Sequence, residues 1–458
     1  MATKNDFSKG SIAGNILRLA LPMTLAQLIN VLYSVVDRIY LGHMPGIGQT
    51  ALTAVGVTMP IVSILMGFAN LCGVGGAPLC SIERGKGDNE EAERVMGTSF
   101  TMLLLLGVAV TVFLQLIKTP MLRLLGASDV TLPYAVEYLE IYLCGTLFVM
   151  ISLGMNPFIN SQGFARMGML TVTLGATVNL ILDPLFIFVL ELGVRGAALA
   201  TVIAQGCSAL WVLRFLTGKT AILRLRRECM KLEPARVKKI FNLGLSGFFV
   251  NLTNSVVQIA CNATLQLFGG DLFVGIMTIL NSVREVLVMP VLGLTNASQP
   301  VMGFNYGAEE YGRVRSAIRF SSVVTVVYSA GVWLVTMLFP AFLFGVFNAD
   351  SQVITMGTPS MRLYFCMFIF MSLQMAGQNT FVALGKAKTA IFFSLFRKVI
   401  VNAPLTLLLP RLGMGTTGVF AAEAISQIVG GLACFITMIV TLYRPMKRLE
   451  QAEGKEGT

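Results

Sequence analysis

Twelve stretches of this chain are each apolar over the roughly 20 residues that a helix needs to cross the hydrocarbon of a bilayer, and no other feature constrains the fold as strongly. They fall near 14–42, 51–80, 93–117, 131–155, 163–191, 195–217, 240–268, 273–303, 314–347, 354–380, 388–410 and 414–443. Inside lipid every backbone N–H and C=O must be paired within its own segment, so runs of this length predict α-helices rather than open strands. Several are longer than one crossing, which tilt, kinks or extension past the hydrocarbon accommodates. Of 458 residues 55% are hydrophobic and 12% charged, whereas a soluble domain carries about 25% charged residues. The expectation is an all-α polytopic membrane protein rather than a string of soluble domains.

The net charge of +11 does not point to nucleic acid, because the basic residues sit in short loops between apolar runs. They cluster at the ends (Lys4, Lys9, Arg444, Lys447, Arg448, Lys455) and in alternate loops: Arg84, Lys86 and Arg94, then Arg166, then Arg313 and Arg315, then Lys386 and Lys388. The intervening loops hold only Lys118, Arg123, Arg195 and Arg411. The one long hydrophilic stretch, 218–239, carries Lys219, Arg224, Arg226, Arg227, Lys231, Arg236, Lys238 and Lys239. The positive-inside rule then places both termini and this stretch in the cytoplasm. The first apolar run is too long for a signal-peptide core and reads as a retained first span.

The chain also repeats itself. Gly193-x-x-Gly196 followed by Gln205 recurs as Gly415-x-x-Gly418 followed by Gln427, an offset of 222. Gly163-Phe-Ala-Arg166 recurs as Gly385-Lys-Ala-Lys388 at the same offset, and Leu19-Ala-Leu21-Pro22 resembles Leu243-Gly-Leu245-Ser246 at 224. An even number of helices separates the copies, so the halves share an orientation, related by an axis along the membrane normal. The expected organisation is a six-helix lobe at 1–217, a basic linker at 218–239, a second six-helix lobe at 240–443 and a tail at 444–458. The fold predicted is twelve transmembrane helices in two pseudo-symmetric lobes, with a site between them near the midplane.

Ionisable residues inside spans are costly and usually functional. Asp183 lies in such a run, with Asn179 four residues earlier on the same helical face. Pro184 cannot donate a hydrogen bond and displaces the carbonyl of Leu180, so oxygens gather at one kink. Asp37 in the first span either faces Asp183 or pairs with an intramembrane base among Arg38, Arg284, Arg362, Arg397 and Lys398. Buried neighbouring carboxylates can exchange a proton near physiological pH, and the same oxygens suit Na⁺, a hard cation. Thr201 adds a hydroxyl, although a helix hydroxyl also bonds back to its own backbone. In the eighth span Glu285, with Asn281 and Met289 a turn away on either side, favours a cationic, partly apolar ligand; pairing with Arg284 or Arg362 is the alternative. Glu423 stands at the repeat position of Thr201, as a counterpart polar site or a partner of Arg397. Among 25 Met and 30 Phe, Met155 and Phe158 are candidates for adaptable substrate contacts.

Enzymatic chemistry finds little support. His43 is the only histidine, and the eight cysteines are scattered, seven in apolar runs and Cys229 in the basic stretch, without a Cys-x-x-Cys pair. The glycine-bearing loops at 83–88 and 305–310 lack a phosphate-cradling pattern and read as cytoplasmic connectors. No cofactor is expected.

Over nearly its whole length the chain resembles the multidrug and toxic compound extrusion (MATE) family, most closely the bacterial MepA-like branch. The resemblance rests on Asp37, Ser81-Ile-Glu-Arg-Gly-Lys-Gly-Asp88, Asn156 through Gly163, Asn179-x-x-x-Asp183-Pro184, Gly193-x-x-Gly196-Ala-Ala and Gly303-Phe-Asn-Tyr-Gly307-Ala. It implies two six-helix lobes in a V and exchange of H⁺ or Na⁺ for cationic amphiphilic compounds by alternating access, with a monomer sufficient. It implies an ion-coupling set of Asp37, Asn179, Asp183 and Thr201, and substrate handling by Glu285. Some members carry acids in the seventh and tenth spans; here those spans offer Gln258, and Gln374, Gln378 and Asn379. A lipid or lipid-linked-sugar flippase of the wider superfamily is the alternative, and would want a basic central groove.

Overall fold

The computed structural model describes residues 7–347 and 351–456, so Lys4 lies outside the described residues. Among the described residues there is no strand. The helices are α1 (Ile12–Gly42), α2 (Gly48–Gly85), α3 (Asn89–Leu124), α4 (Leu132–Cys144), α5 (Thr146–Ser161), α6 (Ala165–Pro184), α7 (Gly193–Thr217) and α8 (Pro234–Gly307). After them come α9 (Tyr311–Leu338), α10 (Pro340–Phe347), α11 (Ser351–Phe365), α12 (Phe368–Ala383), α13 (Ala387–Leu395), α14 (Ala403–Leu409), α15 (Gly415–Met438) and α16 (Arg444–Glu456).

Among the described residues eight helical stretches are long and apolar enough to cross a membrane, or ten when α4 with α5 (bent by 57°) and α11 with α12 (bent by 42°) each count as one bent span. Two of the eight, Pro234–Gly307 and Ala387–Gln451, leave the helical path at left-handed glycines, Gly270 (φ 64°) and Gly413 (φ 97°). Counted as two crossings each, they bring the total to the twelve expected from the apolar runs. Large apolar side chains such as Leu105, Leu116, Ile181, Ile259, Leu267, Val327 and Phe342 remain exposed, as a surface bathed in lipid requires.

The chain divides into two compact units. One is built from Leu21–Gly244; the other takes Phe7–Ala20 together with the chain from Leu245 onward. In the first, α2 packs on α3 and α5, and α6 on α7. Leu41, Val55, Ile61, Leu65, Leu139, Tyr142 and Ile187 belong to its core, with the Tyr138 and Tyr142 rings stacked at 5.9 Å. Lipid supplies no hydrophobic drive between helices, so close backbone approach must hold them. A Cβ on Gly73 would stand 2.7 Å from the Gly154 carbonyl oxygen, and one on Gly244 only 1.8 Å from that of Leu71. In the second unit α12 packs on α9 and α15, around Leu265, Leu280, Phe344, Tyr364, Phe365, Phe368 and Phe420.

The basic stretch after α7 is tied down rather than loose. Buried Gln162 accepts the backbone N–H groups of Ile222 and Leu223, both at 2.9 Å, through one side-chain oxygen. Glu93 accepts Arg224 N–H at 2.8 Å and pairs with Arg226 at 3.3 Å. Thr98 and Thr101 donate to the carbonyls of Lys231 (3.2 Å) and Met230 (2.8 Å). Arg236 grips Glu91 with two bonds, 2.9 and 2.8 Å. Cys229 is buried within this segment, and burial raises its thiol pKa.

The sequence repeat has a backbone cause. Gly193 (φ 56°) and Gly415 (φ 53°) both open their helices in a conformation that disfavours a Cβ. Their partners Gly196 and Gly418 let the helix press on the backbone before it, a Cβ at either meeting Phe186 or Pro410 backbone at 2.7 Å. Gly163 (φ 91°) and Gly385 (φ 71°) form the left-handed corners before α6 and α13.

Candidate functional site

In the first unit, α1 supplies Asp37, α6 supplies Asn179 and Asp183, and α7 supplies Thr201. Asn179 and Asp183 lie four residues apart and share a face. Pro184 ends the regular helix, and a π-helical turn, Leu185–Val189, continues it; such turns are frequent at functional sites. Asp183 is completely buried, Asn179 nearly so and Asp37 half-buried. The side chains of Asp37 and Asp183 lie within hydrogen-bonding reach of each other. Asn179 Nδ2 donates to Asp183 Oδ1 at 3.2 Å and reaches Thr201 Oγ1 at 3.5 Å. Thr201 also bonds back to the Ala197 carbonyl at 3.0 Å, so both roles weighed for its hydroxyl coexist.

Asp37 Oδ1, Asn179 Oδ1 and Asp183 Oδ2 are buried and have no hydrogen-bond donor. Ionised carboxylates only accept, so two of them in contact require a proton or a cation between them. Alongside lies a cavity of about 50 Å³, lined by Asn179 and Thr201 together with Asn30, Tyr33, Asn156 and Gln205. That is room for a few waters or a hydrated ion. Ser152 belongs to the same lining and donates to Gln205 Oε1 at 2.6 Å. Tyr33, one turn before Asp37, and Asn30 were not singled out from the sequence; their spacing on the face of Asp37 was the available signal.

The other predicted positions fare differently. Met155 and Phe158 have no exposed surface: Phe158 packs where a Cβ on Gly76 would meet its ring at 2.5 Å. Both are core residues here and are not among those lining the cavity. Glu285 is exposed, Asn281 half-buried and Met289 buried. Asn281 accepts a hydrogen bond from Tyr364 at 3.4 Å. Arg284 and Arg362, weighed as partners of Glu285, turn elsewhere: Arg284 to Glu423 at 3.7 Å and Arg362 to the Met337 carbonyl at 3.2 Å. Arg397 and Lys398, weighed as partners for Asp37, also reach Glu423, at 3.6 and 3.5 Å.

A family model named MatE matches residues 22–185 and 248–408. The chain belongs to the MATE family. Among similar curated proteins, Multidrug export protein MepA of Staphylococcus saprophyticus is 24% identical over 453 residues, 98% of each chain. The protein of that name from Staphylococcus haemolyticus is 25% identical over 436 residues, 95% of this chain and 94% of the relative. A crystal structure of MATE in the bent conformation superposes with a TM-score of 0.91 at 23% identity, over 99% of this chain and 100% of the other. An outward-facing multidrug resistance MATE family transporter of the MOP superfamily gives 0.89 at 23%, over 97% and 99%. These solved structures share the fold, and the chain is a multi-pass protein of a multidrug efflux transporter family.

Both halves of this MATE protein use the repeat to carry polar residues. In the first, Asn179 meets Thr201 across α6 and α7. In the second, Asn402 meets Glu423, the counterpart of Thr201, and Ser426 at 3.0 Å. The chemistry has diverged: two acids in the first unit, one acid among three bases in the second.

Proposed function

We propose that this MATE-family protein exports cationic amphiphilic organic compounds across a bacterial cytoplasmic membrane in exchange for H⁺ or Na⁺, by alternating access. The observation that carries the reading is the set of buried, donor-free oxygens on Asp37, Asn179 and Asp183. Two facing carboxylates and an amide oxygen suit a proton or a hard cation such as Na⁺. The ion is cargo in this scheme. Bound between Asp37 on α1 and Asp183 on α6, it holds the two helices together; its departure leaves two like charges that repel. The π-helical turn after Pro184 provides backbone that can yield to that repulsion. Two states with different substrate affinity then follow, as any population shift requires.

Glu285, exposed on a membrane-spanning helix with Met289 one turn away, is the proposed anchor for the substrate's positive charge. The relatives named Multidrug export protein MepA support export of drug-like compounds. Both termini are placed in the cytoplasm by the distribution of Lys and Arg. A monomer contains every residue invoked.

The test is ethidium efflux from proteoliposomes with a proton or a Na⁺ gradient imposed separately. Efflux driven by the proton gradient in Na⁺-free buffer assigns the carboxylate pair to proton exchange, and efflux that needs Na⁺ assigns it to the metal ion. Efflux with neither gradient sinks the antiport reading, and transbilayer movement of labelled lipid would then be measured.

A further inference from the structure

The second unit buries more positive charge than it neutralises. Arg284, Arg397 and Lys398 all approach a single carboxylate oxygen, Glu423 Oε1, at 3.7, 3.6 and 3.5 Å, and Gln427 Nε2 donates to the same oxygen at 3.3 Å. The other oxygen, Oε2, is taken by Asn402. One oxygen has two lone pairs, and good charge-assisted bonds run at about 2.7–2.9 Å, so none of the three cations is well satisfied. Arg397 gives one nitrogen to Gln374 Oε1 at 2.7 Å, while its Nε is buried without an acceptor. Three bases against one acid leave two formal positive charges in excess. The side chains of Arg397, Lys398 and Glu423 are 8%, 8% and 6% exposed. Buried charge without a counter-charge is strongly disfavoured.

The local backbone builds this arrangement deliberately. Arg397, Lys398 and Asn402 fall in a π-helical turn, Phe396–Asn402. Its i to i+5 spacing brings two adjacent bases and an amide onto the one face that meets Glu423 on α15. Arg284 enters from α8 and is the least buried of the three, with its side chain 25% exposed. Val283, Cys261, Tyr364 and Phe420, all buried in the same unit's core, provide apolar surroundings.

We propose that this cluster binds the carboxylate or phosphate group of an organic anion. Guanidinium groups match such groups with paired hydrogen bonds, and a second anion here would both use the free Nε donor of Arg397 and balance the charge. The anionic group could belong to a free small molecule or to a lipid headgroup. The site is chemically separate from the carboxylate pair and does not depend on the direction or ion of transport.

The experiment is isothermal titration of the full chain in phosphatidylcholine nanodiscs with benzoate, phenyl phosphate and, as the cationic control, benzylamine. The expected result is saturable binding of an anion with one site per chain, weakened by about tenfold or more in Arg397→Gln and Lys398→Gln, and no competition by benzylamine. Repeating the titration in nanodiscs doped with phosphatidic acid separates the sources. Weaker apparent anion binding there identifies a lipid phosphate as a competing occupant; unchanged binding identifies the free anion; both support the site. Should Arg397→Gln fail to fold, Arg284→Gln, altering the most exposed base, tests the same contact. No anion binding in plain nanodiscs together with no competition for an added spin-labelled phosphatidic acid by phenyl phosphate would overturn the proposal. So would binding that Lys398→Gln and Arg284→Gln both leave unaltered. Binding is read without any gradient, so its failure and the failure of the antiport reading are told apart.

Discussion

At the scale of residues, the decisive contrast is between charge left open and charge tied up. Asp183→Asn keeps the shape of the side chain and removes its charge. Gradient-driven efflux in proteoliposomes is expected to fall by about tenfold or more, the equivalent of roughly 1.4 kcal/mol or more in the transition state, while the melting temperature in detergent holds, because no ion pair is broken. Unchanged coupled efflux would end the mechanism. Glu423→Gln should do the opposite. It strands three buried bases, and losing one partner of a buried pair costs about 3–5 kcal/mol, so the melting temperature should drop markedly, and further than in Arg397→Gln, which relieves an excess of like charge. Equal losses in the two variants would argue against the charge imbalance. Asp183 and Asn179 were legible in the sequence because one helix presents both, four residues apart. Tyr33 and Asn30 were overlooked among apolar neighbours. The burial of Met155 and Phe158 was not legible, because a methionine or phenylalanine in a core has the same sequence signature as one beside a cavity.

At the scale of elements, irregularity carries the chemistry. The π-helical turns at Leu185–Val189 and Phe396–Asn402 adjoin or contain the polar clusters of their units. Pro184 announces the first in sequence, and Pro404, whose ring crowds the carbonyl of Ile400 within the second turn, is the corresponding signal for the second. The segment after α7 shows the limit of such signals. Its basic composition was evident, yet its attachment depends on Gln162, Glu93 and Thr98, remote in sequence. Gln162→Ala would leave the backbone N–H groups of Ile222 and Leu223 without their acceptor, at about 1–3 kcal/mol for each one left buried. Trypsin should then cut at Arg224, Arg226 or Arg227 several-fold faster than in the parent protein. An unchanged digestion rate would mean that the other anchors suffice.

For the whole molecule, the placement of termini and loops is a matter of charge distribution, and it is directly measurable. In a background lacking the eight native cysteines, His43→Cys between α1 and α2 is expected to react with an impermeant maleimide added to intact cells. Lys219→Cys, after α7, should react only once the cells are permeabilised. Both positions are exposed, so the reverse pattern would invert the topology drawn from the positive-inside rule. The two matched family segments, 22–185 and 248–408, fall one in each compact unit, which is the whole-chain expression of the repeat at Gly193 and Gly415.

By itself the amino-acid sequence determined the helices, their number, the duplication and the first polar site, because each rests on local spacing: apolar length against bilayer thickness, glycines at positive φ, and residues four apart on one face. Only the tertiary structure decided the rest. It brought Asp37 to Asp183 from a separate helix, sent Arg284, Arg397 and Lys398 to Glu423, and buried Met155 and Phe158. These outcomes depend on which faces of distant helices meet, and a linear pattern of polar and apolar residues does not encode that choice in any one segment.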